Sequence, residues 1–539
     1  MSSVRDTFYG IARELGMTRI FSNPGSTEVP LLVDMPDDFE FVLALHEGSV
    51  VGLATGWAIG RGEPALVLLH TTAGLGNAVG ALATARVNRA PLVVLVGQQD
   101  RRHLHQEPFL TGRLSGLAGQ YPVWVGEPAH AADVPSLVQR AYHEAQIHRG
   151  PALVIVPMND WSVPMPSGRF TSPTRMRSTV ATNQTDRLEV AELLTAARSP
   201  VIVVGAGADH ADTWSALTKI AKKSGAPVWQ EAFGARAGFP QDHPSFAGHL
   251  PASRSGVREA LAGHDLVLVV GAPSLRQYQY EEGELYSART RVVVVTDDYD
   301  EAAHSVANLA VVAPLPQFCK GLAAVLLESG RSAPQTQRPM PLPASESGNL
   351  EPADVFRELA QRLPAESTIV EESPSSRSLL QDLLPARAPL GYLSAAMGGL
   401  GFALPASTGL KMALPRRPVV AIVGDGSSQY SIQALWSAHR YDVGVLFVVL
   451  SNGGYRIMDV LAAKAGGPGP WPGFADVSIR DLGAAYGCKT HSVATLDELT
   501  EVLDELAQIL PTMTEPVLLD VVLGGRPDAR AAAHRRGHE

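Results

Sequence analysis

Cysteine is almost absent from this sequence, since only Cys319 and Cys488 occur among 539 residues. A disulfide framework and a cysteine-rich zinc cluster each need several closely spaced cysteines, so both are excluded. The chain therefore needs no oxidising compartment, and we expect a cytoplasmic protein.

The sequence also lacks long stretches of one charge and uninterrupted apolar runs. The formal net charge is −10, but the 54 acidic and 44 basic residues are interspersed, and there is no basic stripe that would suit nucleic acid. Two uncharged windows, 64–85 and 388–410, are broken by glycine, proline, serine or threonine, so we expect buried walls rather than membrane spans. The expected partner is a small molecule, with no nucleic acid and no membrane.

Short apolar runs alternate with helical patterns along the whole chain. Such runs are typical of buried strands in parallel sheets, and they include residues 65–69, 92–96, 201–204 and 266–270. Stretches rich in proline and serine, at 157–185 and 328–350, separate the chain into segments. We therefore predict an α/β protein with three parallel-sheet domains, at residues 1–182, 183–340 and 341–539.

Two glycine-containing turns in the last segment are the most informative feature. The first, Gly424–Ser428, reads GDGSS, and the second, Ser451–Tyr455, reads SNGGY. The surrounding pattern predicts a βαβ unit with strands at 417–423 and 443–450 and a helix at 431–438. This unit places a carboxylate and a carboxamide at the ends of two strands.

The residue types in these turns suit a magnesium diphosphate. Glycine lets the backbone approach a bulky anion, while serine hydroxyls and helix N–H groups can donate to phosphate oxygens. Magnesium prefers an octahedral set of oxygen ligands, and a plausible set takes Asp425, Asn452 and the Gly454 carbonyl together with diphosphate and water. Either turn alone would indicate only an ordinary loop. The pair at this spacing favours a cofactor site.

In these turns and four further segments the chain resembles the thiamine diphosphate-dependent decarboxylase family, and within it the benzoylformate decarboxylases. The further segments are Asn23–Ser26, His46–Gly48, His70–Asn77 and Gly398–Pro405. The resemblance runs nearly end to end and implies thiamine diphosphate and Mg²⁺ as cofactors. It also implies an N-terminal pyrimidine-binding domain, a central Rossmann-like domain and a C-terminal diphosphate-binding domain.

The resemblance assigns the cofactor contacts to individual positions. Glu47 matches the carboxyl group that hydrogen-bonds the aminopyrimidine and promotes cofactor activation, whereas by itself it would indicate a helix N-terminal acid. Gly398 and Leu400 match the backbone acceptor and the side chain that keep the cofactor bent; in isolation they would indicate a packed glycine-rich loop. The other implied cofactor contacts are Gly424, Gly426, Ser427, Ser428 and Tyr455.

Three positions bear on the reaction with substrate. Ser26 resembles the serine that contacts the substrate carboxylate, although a helix cap is the alternative. His70 resembles the proton-relay histidine, and its side-chain type suits proton transfer. Where the benzoylformate decarboxylases carry a second active-site histidine, this chain has Tyr278, and tyrosine is a much weaker acid. Slower protonation after loss of carbon dioxide would leave time for carboligation.

The substrate pocket is predicted from the helix that follows the Asn452 turn. Its apolar residues Ile457, Met458 and Leu461 favour an uncharged substrate tail over a second carboxylate, although they could be ordinary core positions. We therefore predict a carboxy-lyase that converts an aryl or branched 2-oxo acid to an aldehyde and carbon dioxide without oxidation. The alternatives are a thiamine-dependent carboligase or acetolactate synthase-like enzyme, and a catalytically retired binding protein.

The assembly is implied by the resemblance alone. In the family, the domain with the Glu47-type carboxylate faces the diphosphate-binding domain of another subunit. At least a dimer is therefore expected, with a homotetramer arranged as a pair of dimers.

A glycine turn in the central segment invites a dinucleotide interpretation. Gly205 and Gly207 follow an apolar run, but the third glycine of the dinucleotide fingerprint is missing. A strand-to-helix turn is favoured, and a nucleotide or flavin site in this domain is left unassigned.

Overall fold

The computed structural model describes residues 2–166, 172–176, 182–331 and 349–524. Its described strands form three six-stranded sheets in which the pairings between named strands are parallel. The predicted α/β class with three parallel sheets is confirmed.

The N-terminal sheet has the strand order β2-β1-β3-β4-β6-β5. Its strands are β1 (Arg19–Asn23), β2 (Glu40–Leu43), β3 (Ala65–Leu69), β4 (Leu92–Gln98), β5 (Trp124–Gly126) and β6 (Pro151–Pro157). The helices of this part are α1 (Val4–Glu14), α2 (Val29–Leu32), α3 (Glu47–Arg61), α4 (Thr71–Val87) and α5 (Val134–His148).

The central sheet has the strand order β12-β11-β10-β7-β8-β9. Its strands are β7 (Pro200–Val204), β8 (Val228–Gln230), β9 (Phe246–His249), β10 (Leu266–Val270), β11 (Arg291–Thr296) and β12 (Leu309–Val312). The helices here are α6 (Gln184–Ala196), α7 (Ala211–Ser224), α8 (Arg254–Ala260), α9 (Tyr299–His304) and α10 (Leu315–Val325).

The C-terminal sheet, ordered β14-β13-β15-β16-β18-β17, repeats the connectivity of the N-terminal sheet. Its strands are β13 (Thr368–Glu372), β14 (Tyr392–Ser394), β15 (Val419–Gly424), β16 (Leu446–Ser451), β17 (Lys489–Val493) and β18 (Val517–Val522). The helices are α11 (Pro352–Arg362), α12 (Arg377–Leu383), α13 (Ala403–Ala413), α14 (Asp425–Ser428), α15 (Ala434–Arg440), α16 (Arg456–Lys464), α17 (Ile479–Ala485) and α18 (Leu496–Ile509).

Helices α3 and α13 join the N- and C-terminal sheets into one core. The two backbones approach so closely that a Cβ on Gly56 would lie 1.9 Å from the Ala406 carbonyl oxygen, and one on Gly409 would lie 1.8 Å from that of Leu53. Only glycine permits this approach. The close packing fixes the two sheets relative to each other.

The element boundaries near the predicted cofactor site differ from the sequence-based prediction. The expected helix at 431–438 is wrong in its start: Asp425 begins the short α14, and α15 begins only at Ala434. The Ser428 hydroxyl donates to the Asp425 carbonyl oxygen at 2.7 Å, and such side-chain bonds compete with helix continuation. The two flanking strands run to Gly424 and Ser451, slightly beyond their predicted ends.

The three sheets fall within the three predicted segments. The predicted boundary at 182/183 lies just before α6, and the boundary at 340/341 lies outside the described residues. Both boundaries remain predictions. In the described part of the chain, no helix combines the length and apolarity that crossing a membrane requires.

Candidate functional site

The two turns predicted to form a cofactor site are in direct contact. They follow β15 and β16, which are neighbours in the sheet. Asp425 is 3% exposed, and its carboxylate accepts the N–H of Gly426 at 2.9 Å and the N–H of Gly453 at 2.6 Å. The second bond ties one turn to the other and holds the carboxylate at the carboxyl edge of the sheet.

The second turn presents its oxygen atoms to the same region. The Asn452 carboxamide oxygen accepts the N–H of Gly454 at 3.2 Å. Among the described residues, no heavy atom lies within 4 Å of the position that a Cβ of Gly454 would take. Asp425, Asn452 and Gly454 all line one cavity of about 370 Å³.

This cavity combines a polar end with an apolar end. The residues that line it are Pro374, Ser375, Leu400, Gly424, Asp425, Gly426, Ser427, Tyr430, Asn452, Gly454, Tyr455, Arg456, Ile457, Met458 and Trp471. The polar end consists of the two turns, while Leu400, Ile457 and Met458 supply apolar surface. A ligand with an anionic end and an uncharged body suits such a lining.

The polar end fits a magnesium diphosphate. It offers a carboxylate, a carboxamide and a backbone carbonyl, which are hard oxygen ligands, beside the Ser427 hydroxyl. A Cβ on Gly426 would lie 2.8 Å from the Tyr455 ring, so glycine is required for that ring to close over the turn. Tyr455 is held in turn by Phe474, with ring centroids 5.0 Å apart.

Three of the contacts predicted in the C-terminal segment do not line this cavity. Ser428 is fully buried, and its hydroxyl bond to the Asp425 backbone gives it a place inside the turn. Gly398 lies in the loop before α13 with a φ of 72°. Leu461 is partly buried on α16, one turn beyond Met458.

Five lining residues were not predicted from the sequence, and they are Pro374, Ser375, Tyr430, Arg456 and Trp471. Arg456 directly follows the second turn, so its position in the sequence could have predicted that it lines the cavity. Trp471 lies in the loop that follows α16 and lines the cavity from there. Its indole N–H donates to Asp459 at 2.9 Å. No local pattern around Trp471 signals this contact.

Ser26 and His70 lie together at the carboxyl edge of the N-terminal sheet. Neighbouring strands β1 and β3 pair Asn23 with Leu69, which brings the two following turns side by side. A Cβ on Gly25 would lie 2.4 Å from the His70 ring, so the turn packs directly on the imidazole. Ser26 is exposed on the same turn.

Glu28 is a site residue that the sequence-based prediction missed. Its side chain is fully buried and hydrogen-bonds His70, with 2.9 Å between the carboxylate oxygen and Nδ1. The same carboxylate accepts the N–H of Gly25 at 2.8 Å, and the Thr27 hydroxyl lies 3.0 Å from Nδ1. These contacts fix the orientation of the ring through Nδ1.

Glu47 is the first residue of α3 and is 8% exposed. Its carboxylate accepts the side-chain N–H of Asn77, from α4, at 3.0 Å. His46 caps the helix by accepting the N–H of Gly48 at 3.0 Å. The carboxylate is therefore held at the same carboxyl edge as His70.

The catalytic residues predicted in the N-terminal and central segments stand apart from the cavity in a single chain. Among its described lining residues, none is Ser26, Glu47, His70 or Tyr278. Tyr278, on the loop after β10, is 66% exposed and lies 6.4 Å from the Phe233 ring.

A second cavity, of about 290 Å³, lies between the N- and C-terminal domains. It is lined by Gly48 and Asn77 next to Glu47 and shares Leu400 and Tyr430 with the first cavity. The surroundings of Glu47 therefore meet the loop that carries Leu400, although the carboxylate itself is not part of the lining.

The glycine turn of the central domain is closed by packing. Gly207 donates its N–H to the Gly271 carbonyl at 2.8 Å, and a Cβ on Gly205 would meet Ala272 at 2.5 Å and the Glu231 carboxylate at 2.8 Å. Burial raises the pKa of Glu231 to about 7. A carboxylate at this position disfavours a phosphate ligand, which agrees with the interpretation of a structural turn.

Three family models match the chain, one for each sheet. They are described as Thiamine pyrophosphate enzyme, N-terminal TPP binding domain, central domain and C-terminal TPP binding domain, and they match residues 2–115, 188–322 and 375–521 respectively. Thiamine pyrophosphate is another name for thiamine diphosphate. The cofactor implied by the two turns is thereby confirmed.

Curated relatives resemble the chain over almost its full length. A benzoylformate decarboxylase of Pseudomonas aeruginosa is 38% identical over 97% of this chain and 99% of the relative. A putative acetolactate synthase large subunit of Mycobacterium tuberculosis is 28% identical over 90% of this chain and 93% of the relative.

Solved structures agree with these matches. The thiamine diphosphate-dependent 4-hydroxybenzoylformate decarboxylase of Rhodococcus jostii RHA1 superposes with a TM-score of 0.92 at 35% identity, covering 97% of this chain and 99% of its own. The benzoylformate decarboxylase of Polynucleobacter necessarius gives a TM-score of 0.92 at 33% identity with the same coverage. The predicted enzyme class, a thiamine diphosphate-dependent 2-oxo acid decarboxylase, is confirmed. The chain belongs to the thiamine pyrophosphate enzyme family.

Proposed function

We propose that the enzyme decarboxylates an aryl 2-oxo acid to the corresponding aldehyde and carbon dioxide. The observation that carries this proposal is the cavity in which the anion-binding turns face the apolar residues Ile457 and Met458 of α16. Relatives named for benzoylformate and 4-hydroxybenzoylformate support an aryl substrate.

The cofactor is held at its anionic end by the two turns. Asp425, Asn452 and the Gly454 carbonyl would hold Mg²⁺, which would neutralise charge on the diphosphate. Ser427 and the backbone N–H groups of the first turn would donate to the phosphate oxygens. When bound, thiamine diphosphate supplies the nucleophilic carbon for the keto group and the ring that accepts the electron pair released with carbon dioxide.

The other end of the site requires a second copy of the chain. Leu400 and the Gly398 carbonyl would contact the pyrimidine from one side, and Glu47 of the partner subunit would hydrogen-bond it from the other. Glu47 is not among the described residues that line the diphosphate cavity of its own chain, and the family resemblance implies that a partner subunit supplies this carboxylate. We infer a dimer as the catalytic unit and a dimer of dimers as the assembly, and we retain the domain boundaries at 182/183 and 340/341 and a cytoplasmic location as part of the proposal.

Ser26 binds the substrate carboxylate in this proposal, and His70 transfers a proton. The Ser26 hydroxyl, exposed at the edge of the sheet, donates to the substrate carboxylate. His70, held by Glu28 through Nδ1, transfers a proton at Nε2. The hydroxyl and the imidazole lie on adjacent turns, so one substrate can contact both.

Replacing Glu28 with glutamine tests whether its charge serves His70. We expect kcat to fall by about 10²-fold, at the lower end of the contribution of general acid–base catalysis, because a carboxamide holds Nδ1 of His70 less strongly than the buried carboxylate does. Steady-state kinetics measures kcat, and cofactor titration provides the control, since thiamine diphosphate affinity should not change. An unaltered kcat in a fully loaded variant contradicts the role of Glu28.

A specific residue favours carboligation as a second activity. Tyr278 stands where the benzoylformate decarboxylases have a histidine, and a weaker acid at this position would supply a proton more slowly after carbon dioxide is lost, which would favour carboligation with an aldehyde. The similarity to a putative acetolactate synthase large subunit is consistent with such chemistry in this family.

Replacing Tyr278 with histidine is expected to raise the ratio of aldehyde to 2-hydroxyketone by about tenfold, because a histidine at this position supplies a proton faster than a tyrosine does. Chromatography of products formed from benzoylformate in the presence of acetaldehyde measures the ratio, because all the benzaldehyde then comes from benzoylformate. Tyr280→His is the matched control, since that tyrosine lies two residues away and is 80% exposed. An equal ratio in the wild type and the Tyr278 variant rejects proton supply as the role of this position.

The proposed activity itself is tested with purified protein, thiamine diphosphate, Mg²⁺ and a panel of aryl, branched and short 2-oxo acids. Faster aldehyde release from aryl 2-oxo acids supports the proposal, whereas mainly 2-hydroxyketone from pyruvate supports the synthase alternative. Bound cofactor without turnover of any substrate indicates a retired binding protein.

A further inference from the structure

The loop that carries Gly398 and Leu400 has little structure of its own. It runs over residues 395–402 between β14 and α13 and forms neither helix nor strand. Gly398 and Gly401 have φ values of 72° and 89°, a left-handed conformation that glycine adopts at low cost. The position of Leu400 in the cavity must therefore be set by residues outside the loop.

Glu372 holds the C-terminal end of this loop. It is the last residue of β13, is 3% exposed, and accepts the N–H groups of Gly401, Phe402 and Ala403, each at 2.7 Å. These N–H groups lie around the start of α13, where helix donors have no intrahelical partner. Burial raises the pKa of Glu372 to about 7, and the three backbone donors oppose that rise by stabilising the ionised form.

Asn88 holds the other end of the loop from the N-terminal domain. It is 1% exposed and follows α4. Its side-chain N–H donates to the Ser394 carbonyl at 2.8 Å, and its carboxamide oxygen accepts the N–H of Ala396 at 2.9 Å. Both polar atoms of the carboxamide are therefore used on the same loop.

We propose that Glu372 and Asn88 form a clamp that positions Leu400 against the pyrimidine end of the cofactor. The proposal rests on the proposed function, in which Leu400 contacts the pyrimidine. The clamp acts at one end of the ligand only, because the diphosphate turns are joined by their own bond between Gly453 and Asp425. Glu372 and Asn88 are thus positioning residues rather than catalytic ones.

Replacing Glu372 with glutamine removes the charge and places an N–H₂ group against backbone donors. We expect the Kd for thiamine diphosphate, measured by calorimetry with Mg²⁺, to rise by about tenfold, the size of one charge-assisted hydrogen bond. The Kd for inorganic diphosphate should not change, because that ligand meets only the two turns. A general loss of structure would weaken both ligands.

Glu498→Gln is the control, since Glu498 also accepts two backbone N–H groups, those of Ala494 and Thr495 at the start of α18, and is not among the described residues that line the cavity. An equal change for both ligands in Glu372→Gln, or no change for either, overturns the proposal. If that variant does not fold, Asn88→Ala must show a selective loss of affinity for thiamine diphosphate, and the absence of this loss overturns the clamp.

In Leu400→Ala, an unchanged ratio of the affinities for thiamine diphosphate and inorganic diphosphate rejects the proposed pyrimidine contact and the clamp with it. If this ratio of affinities changes in Leu400→Ala but not in Glu372→Gln, only the clamp is rejected and the pyrimidine contact of Leu400 stands.

Discussion

Replacing Glu47 with glutamine is expected to leave thiamine diphosphate bound but to slow exchange of its thiazolium C2 proton by about 10²- to 10⁴-fold, the range of general acid–base catalysis. Glutamine fills nearly the same volume and can still accept the side-chain N–H of Asn77 through its carbonyl oxygen. It cannot exchange a proton with the pyrimidine ring. Turnover should fall in parallel with the exchange rate, because activation of the cofactor precedes every later step.

Hydrogen–deuterium exchange followed by NMR measures this effect directly, and cofactor titration measures binding in the same samples. Glu63→Gln is a suitable control, since Glu63 is an exposed carboxylate just beyond the C-terminus of α3. Wild-type exchange in Glu47→Gln would remove Glu47 from the activation step. A large loss of affinity with normal exchange in the residual complex would assign it to binding instead.

Replacing Asp425 with asparagine should cost the enzyme its Mg²⁺-dependent hold on the cofactor. We expect the Kd for thiamine diphosphate in saturating Mg²⁺ to rise by about 10- to 100-fold, the value of a hydrogen bond or contact to a charged group. Asparagine is preferred to alanine because its oxygen can still accept the N–H of Gly453, which keeps the two turns together. The change then tests the charge rather than the fold.

Fluorescence or calorimetric titration of thiamine diphosphate, in the presence of Mg²⁺ and in the presence of a chelator, separates the Mg²⁺-dependent part of the affinity from the part that does not need the metal. The wild type should lose affinity when Mg²⁺ is removed, whereas Asp425→Asn should respond little. Asp354→Asn is matched in burial, since both side chains belong to residues that are 3% exposed, and Asp354 caps α11 away from the cavity. Equal Mg²⁺ dependence in the wild type and Asp425→Asn would exclude this carboxylate as the metal ligand.

Much of the C-terminal site could be predicted because its parts are local in sequence. Each turn directly follows its strand, so an apolar run ending in GDGSS or SNGGY carries the position and the chemistry together. The start of α15 was predicted wrongly for an equally local reason. The Ser428 hydroxyl bonds to the Asp425 backbone within the turn, and hydrophobic periodicity does not report such competition.

Glu28 shows why other site residues could not be found. It lies just after the segment Asn23–Ser26, but its importance depends on His70. The pairing of β1 with β3 brings His70 beside it in the fold. A glutamate at the start of a helix gives no sign in the sequence of whether its side chain points to water or to a buried imidazole. Asn88 was even less predictable from the sequence, because its hydrogen-bond partners Ser394 and Ala396 belong to a different domain.

The sequence by itself determined the fold class, the cofactor and the turns that bind its diphosphate. Continuous apolar runs, helical patterns and the motifs at strand ends are each local in the sequence, so they can be identified without knowledge of the fold. Only the tertiary structure decided which side chains orient the predicted ones: Glu28 for His70, Asn77 for Glu47, and Glu372 with Asn88 for the Leu400 loop. These contacts join parts of the chain that meet only when its sheets pack, because the free energy that selects them comes from burial of the whole core rather than from any local pattern.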